Sequence, residues 1–247
     1  MAEMAQTDKS WWAKSLLVGA VIAAVLLPVA ALGTKFGIWG FQIGFLGLAA
    51  SSVLAVLGVV IGVVAIFVSR KRNMTSDQPS LFVGIGVSAL ILALMGMQFV
   101  QASNVPPIHN ISTDVADPPQ FSAIVALRGE GSNPLAYDSA EIGPVQQAAY
   151  PWVKSLTLAS APGEALTQAV AALEEMGLEI VTTDPVVGIV EATATTFWFG
   201  FKDDVVVRVR ASGSGSLVDV RSVSRVGVSD IGVNARRIGE LLDHLKP

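Results

Sequence analysis

The chain has 247 residues, 52% of them hydrophobic and 15% charged, with a mean hydropathy of +0.59. That composition excludes an ordinary soluble protein, and a net charge of -4 with a pI near 5.2 excludes nucleic acid as the main partner, because a phosphate backbone needs a concentrated basic face. Cysteine is absent, so there is no disulfide framework, thiolate metal site or thiol nucleophile.

Three stretches, at about 15–33, 41–68 and 81–100, contain no Asp, Glu, Lys or Arg. Each reaches the roughly 20 residues that cross a bilayer as a helix, so three transmembrane helices are expected. Lys9 and Lys14 ahead of an apolar run that ends in small residues at Ala30 and Ala31 also fit a cleaved signal peptide. The length of the run and the two spans behind it favour an uncleaved anchor.

Arg70, Lys71 and Arg72 follow the second span, Lys9 and Lys14 precede the first, and Lys35 stands alone in the first loop. The positive-inside bias therefore places the N-terminus in the cytoplasm and everything after the third span outside it, in the periplasm of a Gram-negative cell. The expected location is the cytoplasmic (inner) membrane. The spans carry no ionisable side chain that would mark an ion or proton route. Gly40 with Gly44 and Gly58 with Gly62 have the spacing of close helix contacts, which packing within one subunit accounts for.

The organisation expected is an anchor over residues 1–100, a proline-rich linker over 101–121 and a folded extracytoplasmic domain over 122–247. The stretch NVPPIHNISTDVADPPQF, residues 104–121, shows little periodicity. Residues 122–152, broken by Gly129, Gly131, Pro134, Gly143 and Pro144, read as irregular chain, either wrapped over the domain or mobile. Ser160 is placed to cap a helix that runs to about Met176 and stops at Gly177. Strands are expected at about 178–182, 186–193, 205–210 and 217–224.

In the last pair, setting Arg210 opposite Leu217 puts Arg208 against Asp219 and Val206 against Arg221. Val205, Val207, Val209, Val218 and Val220 then share an apolar face, and a slip of one residue would mix valine with arginine. A final helix offers Ile231, Ile238, Leu241, Leu242 and Leu245 as cover. The fold class is therefore α+β, with an antiparallel sheet covered by helices. The run FWFGF, residues 197–201, reads as core or a covered bulge, with a dip into the membrane surface as the alternative.

The segments IHNISTDVADPP, QQAAYPW, VEAT ahead of FKDDVVVRVR, and above all RSVSRVGVSDIGVNARRI resemble the bacterial and plant family known as domain of unknown function 1499. The resemblance follows the family's order of motifs through the segment after the spans. It implies an envelope- or organelle-associated domain with no established activity. The chain has Ala235 where the family pattern carries more arginine.

Arg221, Arg225, Arg236 and Arg237 surround Asp230 and Asn234 where a strand hands over to a helix. Ser229 or Asp230 is placed to cap that helix. One reading is an internal ion-pair network drawing on Glu191, Asp203, Asp204, Asp219 and Asp230. The other is a ligand cradle of Arg221, Ser224, Arg225, Asp230, Asn234 and Arg237, with Asp204 and Glu191, that takes an anionic small molecule, a lipid head group or an envelope protein.

Asp203 and Asp204 are adjacent and point to opposite faces of a strand, which argues against a paired-carboxylate acid/base site. His109, Asp114 and Asp117 are too loosely spaced to specify a metal, and no cofactor is expected. No catalytic constellation is recognised. An envelope enzyme using Asp204, Glu191 or His109 with arginines at an oxyanion is the alternative to a non-catalytic binding module.

Overall fold

The computed structural model describes residues 10–246, so Lys9 of the basic N-terminal flank lies outside the described residues. The chain divides into two compact units. One runs as far as Val100 and takes in Phe197–Gly200; the other holds Gln101–Thr196 and the chain from Phe201 onward.

The first unit contains helices α1 (Trp11–Lys35) and α2 (Phe41–Lys71), and α3 (Gln78–Ser103) as far as Val100. All three are long and apolar enough to cross a membrane. They overrun the charge-free stretches at their polar ends. Arg70 and Lys71, for example, occupy the last turn of α2, where cations complement the negative end of the helix dipole.

Small residues let these helices approach. Ser51 Oγ donates to Ala23 O at 2.7 Å, and a Cβ on Gly58 would lie 2.3 Å from Ser88 Oγ. A Cβ on Gly62 would meet Ile85 at 2.5 Å, so the second glycine pair serves packing within one subunit. Asp77 accepts from Ser10 N at 2.8 Å and Ser10 Oγ at 2.7 Å, which fastens the start of α1 to the turn before α3.

The second unit is α+β, as the alternation of valine and charge implies. It contains β1 (Asn110–Ser112), α4 (Ile142–Ala149), β2 (Leu156–Leu158), α5 (Pro162–Glu175), β3 (Glu179–Asp184), β4 (Ile189–Thr195), β5 (Lys202–Ser212), β6 (Gly215–Ser224) and α6 (Val233–Leu245). All strand pairs are antiparallel in the order β1-β6-β5-β4-β3, and β2 pairs with β6 beyond β1. The β5–β6 register sets Arg210 against Leu217, Arg208 against Asp219 and Val206 against Arg221. The valines of the other face form one core with Leu166, Ala169 and Leu173 of α5 and Ala235, Ile238 and Leu241 of α6.

Three expectations change. The stretch expected as a linker supplies β1, whose pairing with residues 221–223 of β6 was masked by its prolines. Residues 122–152, which read as irregular, form a 3-10 turn at Ala123–Leu127 and then α4. From α4, Gln146 accepts from Ser112 N at 2.9 Å and donates to Ser112 O at 2.7 Å. Its amide thus occupies the free edge of β1 where another strand would pair. Within the FWFGF run, Phe197 and Trp198 are 70% and 53% exposed, so these two rings are not core.

Candidate functional site

The sheet has a second face, polar and buried. Glu191 of β4, Asp204 of β5 and Asp219 and Arg221 of β6 are all fully buried. What covers them is not a helix but a strap of mostly irregular chain, residues 113–139, which the polar groups themselves hold in place.

Glu191 binds the start of the 3-10 turn. Its carboxylate accepts from the backbone amides of Ser122 (2.6 Å), Ala123 (3.2 Å) and Ile124 (2.8 Å) and from the Ser122 hydroxyl (2.6 Å). These are orphan donors of a helical turn, and a carboxylate complements their partial positive charge. Asp204 accepts from Nε and Nη2 of Arg225, from Arg128 of the strap and from the Thr193 hydroxyl. Asp219 accepts from Arg208 (3.0 Å), Arg210 (2.7 Å) and the Ser155 hydroxyl (2.5 Å). The same two arginines also reach Asp114 and Asp117 of the strap.

Arg221 differs from these. Its guanidinium donates to Asn110 Oδ1 (3.0 Å), Pro119 O (3.0 Å) and Leu135 O, all neutral, and it makes no salt bridge among the described residues. The rings of Phe121 and Tyr137 stand 5.3 and 5.7 Å from its central carbon. Burial lowers the Arg221 pKa to about 10, the nearby Tyr137 acting against that shift and Arg128 with it. Burial likewise pushes Tyr137 up to about 12, with Arg221 opposing. Asn110 and Tyr137, two neighbours of Arg221, also line a surface groove with His109, Asp138 and Ser139.

Arg237 lies on the opposite, helix-covered face. It donates to Asp203 at 2.8 Å and to Asn234 Oδ1 at 2.6 Å. Asn234 in turn accepts from Ser222 Oγ (2.6 Å) and donates to Ser224 Oγ (2.9 Å) and His109 O (3.1 Å). Asp230 accepts from the amides of Gly232 and Asn234, both at 2.8 Å, and so holds one free amide of α6, although the N-cap position itself is Gly232 rather than Ser229 or Asp230. Burial raises its pKa, more than those amide bonds lower it.

The residues of the expected cradle therefore fall into two groups. Glu191, Asp204, Arg221 and Arg225 share the strap-covered face, while Ser224, Asp230, Asn234 and Arg237 share the helix side. Strand alternation separates Asp203 from Asp204 and hence Arg237 from Arg225, and no single anion bridges all three arginines of the cradle. Arg236 is exposed and donates to Ile231 O at 3.2 Å. Sequence reasoning missed Arg128, Asn110, Phe121 and Tyr137, which lie in aperiodic chain. The available signal was the arginine in a valine-rich strand, which demanded acceptors from somewhere.

Chemically, the oxygens of Glu191 and Asp204 are occupied by donors, and His109 Nδ1 lies 3.4 Å from Val228 O. Among the described residues no group of His, Cys, Asp and Glu could hold a metal ion.

Among curated proteins none matches the chain. A family does, over residues 110–245, a span that begins with β1 and ends with α6 and so contains the strap, both polar clusters and the whole sheet. The chain accordingly belongs to the family described as Protein of unknown function (DUF1499).

Proposed function

We propose that the protein is a membrane-anchored, non-catalytic binding module of the cell envelope, and that its domain takes an anionic ligand at Arg221. The anchor sits in the cytoplasmic membrane with the N-terminus inside and the domain in the periplasm, a reading that rests on the basic residues Arg70, Lys71 and Arg72. The observation that carries the ligand is the Arg221 guanidinium, fully buried yet met by neutral oxygens and two rings only. Burying an uncompensated charge costs several kcal/mol, and an anion beneath the strap would supply the missing counter-charge. The groove beside Asn110 and Tyr137 is the approach, and a carboxylate or phosphate fits the planar fork of donors.

Arg225 and Arg237 favour a second reading for the rest of the cluster. Each is matched to a buried carboxylate and secures the fold.

Two experiments test this. The chain has no cysteine, so single cysteines at Thr75 and Val186 can be probed with an impermeant maleimide on spheroplasts. Val186→Cys should react in intact spheroplasts and Thr75→Cys only after lysis; the reverse pattern overturns the orientation. For the ligand, the thermal midpoint of the detergent-solubilised full chain is followed across a panel of phosphates and carboxylates. One class should stabilise it, by about 2.7 kcal/mol at a hundred times Kd. The effect should vanish in Arg221→Lys, which keeps the charge and loses the fork. Equal response of the variant overturns Arg221 as the seat.

A further inference from the structure

The turn between β4 and β5 ends in exposed aromatic rings. Phe197 is 70% and Trp198 53% exposed, and they stack edge to face with centroids 5.2 Å apart. The turn is closed rather than loose: Thr196 N donates to Phe201 O at 2.8 Å, and Phe201 N donates to Thr196 Oγ1 at 2.9 Å. Gly200 at φ 69° makes the reversal. Nothing in the sheet requires two large rings at such a tip, and in water they are unfavourable.

Their neighbours explain them. Phe197–Gly200 belong to the compact unit that contains the membrane helices. Lys35, the last residue of α1, donates from Nζ to Phe197 O at 2.8 Å and holds its ammonium 4.7 Å from the centre of the Phe197 ring. The Phe199 ring lies 5.4 Å from that of Phe45 in α2. In the short α1–α2 connection, Phe36 and Ile38 are 70% and 69% exposed. Aromatic rings and a lysine at the end of two apolar spans are the composition of a bilayer interface, where tryptophan and the lysine ammonium both sit at head-group level.

We infer that the Phe197–Trp198 tip is a membrane-interface anchor: the two rings enter the lipid head-group layer beside the α1–α2 connection, as an attachment of this segment additional to the three spans. The occupant of this apolar surface is lipid, since the surface continues the lipid-facing flank of α1 and α2. This inference is independent of the ligand at Arg221.

The absence of native cysteine allows a direct test in the full-length protein reconstituted in liposomes. An environment-sensitive fluorophore is attached at Phe197→Cys, at Trp198→Cys and, as a reference, at Val186→Cys in the turn between β3 and β4, where the side chain is 96% exposed. Labels at 197 and 198 should emit at shorter wavelength than the label at 186. They should be quenched at least twofold more strongly by lipids carrying a quencher near the head group, and protected from aqueous iodide. Emission and iodide quenching equal to those at 186 would overturn the inference. So would protection from iodide without lipid quenching, because a protein surface would then be the occupant. Unchanged thermal unfolding of each labelled chain shows that the fold has been retained.

Discussion

Arg225 grips Asp204 through two nitrogens, Nε at 3.0 Å and Nη2 at 2.8 Å, across the end of the β5–β6 pair. Asp204 is fully buried, so the pair cannot be treated as a surface ion pair. Arg225→Ala leaves that carboxylate with Arg128 and Thr193 alone and should cost about 3–5 kcal/mol in a reversible unfolding assay. The double variant with Asp204→Asn should recover part of the loss. Additive losses would mean that the contact is not energetically coupled.

Glu191 predicts a local effect. Glu191→Ala removes one acceptor group from three backbone amides and a hydroxyl in the strap. Hydrogen exchange at Ser122, Ala123 and Ile124 should accelerate by orders of magnitude, while amides in the centre of β5 keep their protection. Uniform acceleration would indicate that the strap and the sheet open together.

The two tyrosines of the chain, Tyr137 and Tyr150, allow a pH prediction. The pKa values of both are raised, Tyr137 to about 12. A phenol held protonated by the fold contributes stability that is fully present below its unfolded pKa near 10 and is lost as pH rises through 12. Arg221 has the opposite sign, because its lowered pKa relieves the buried charge as pH climbs above about 10. Comparison with Tyr137→Phe isolates the first effect. The stability of the wild type relative to the variant should fall between pH 10 and 12, and absorbance titration should show two late-ionising phenols in the wild type and the Tyr150 phenol alone in the variant.

Gly188 closes the β3–β4 turn at φ 75°, and a Cβ there would stand 2.3 Å from Val209 O. Gly188→Ala meets both left-handed strain and backbone overlap, and should destabilise the domain by about 1–3 kcal/mol in thermal unfolding. A neutral result would mean that the turn rearranges at no cost.

Much of the fold was legible because two periodicities are strong. The charge-free stretches marked α1 to α3, and the valine alternation of β5 and β6 set their register, since a slip would bury Arg208 and Arg221 among the helices. β1 and β2 were not legible. Each is three residues long, and β1 follows a proline-rich approach, so neither offers a period to read. The polar residues were found but their grouping was not. Arg221 and Arg237 are close in sequence yet face opposite sides of the sheet, and Arg128 reaches Asp204 from a strap with no pattern of its own. Phe197 and Trp198 read as core because a hydrophobic run carries no mark of whether protein or lipid is to cover it.

The most direct measurement is native mass spectrometry of the full-length chain released from detergent immediately after purification, beside an Arg221→Lys variant of matched thermal stability. A ligand at Arg221 means a retained anion of defined mass, one per chain, on the wild type and its absence from the variant. A bare wild-type chain, as stable as the variant and unchanged by added membrane extract, would contradict it and leave Arg221 as a clamp that fixes the strap to the sheet.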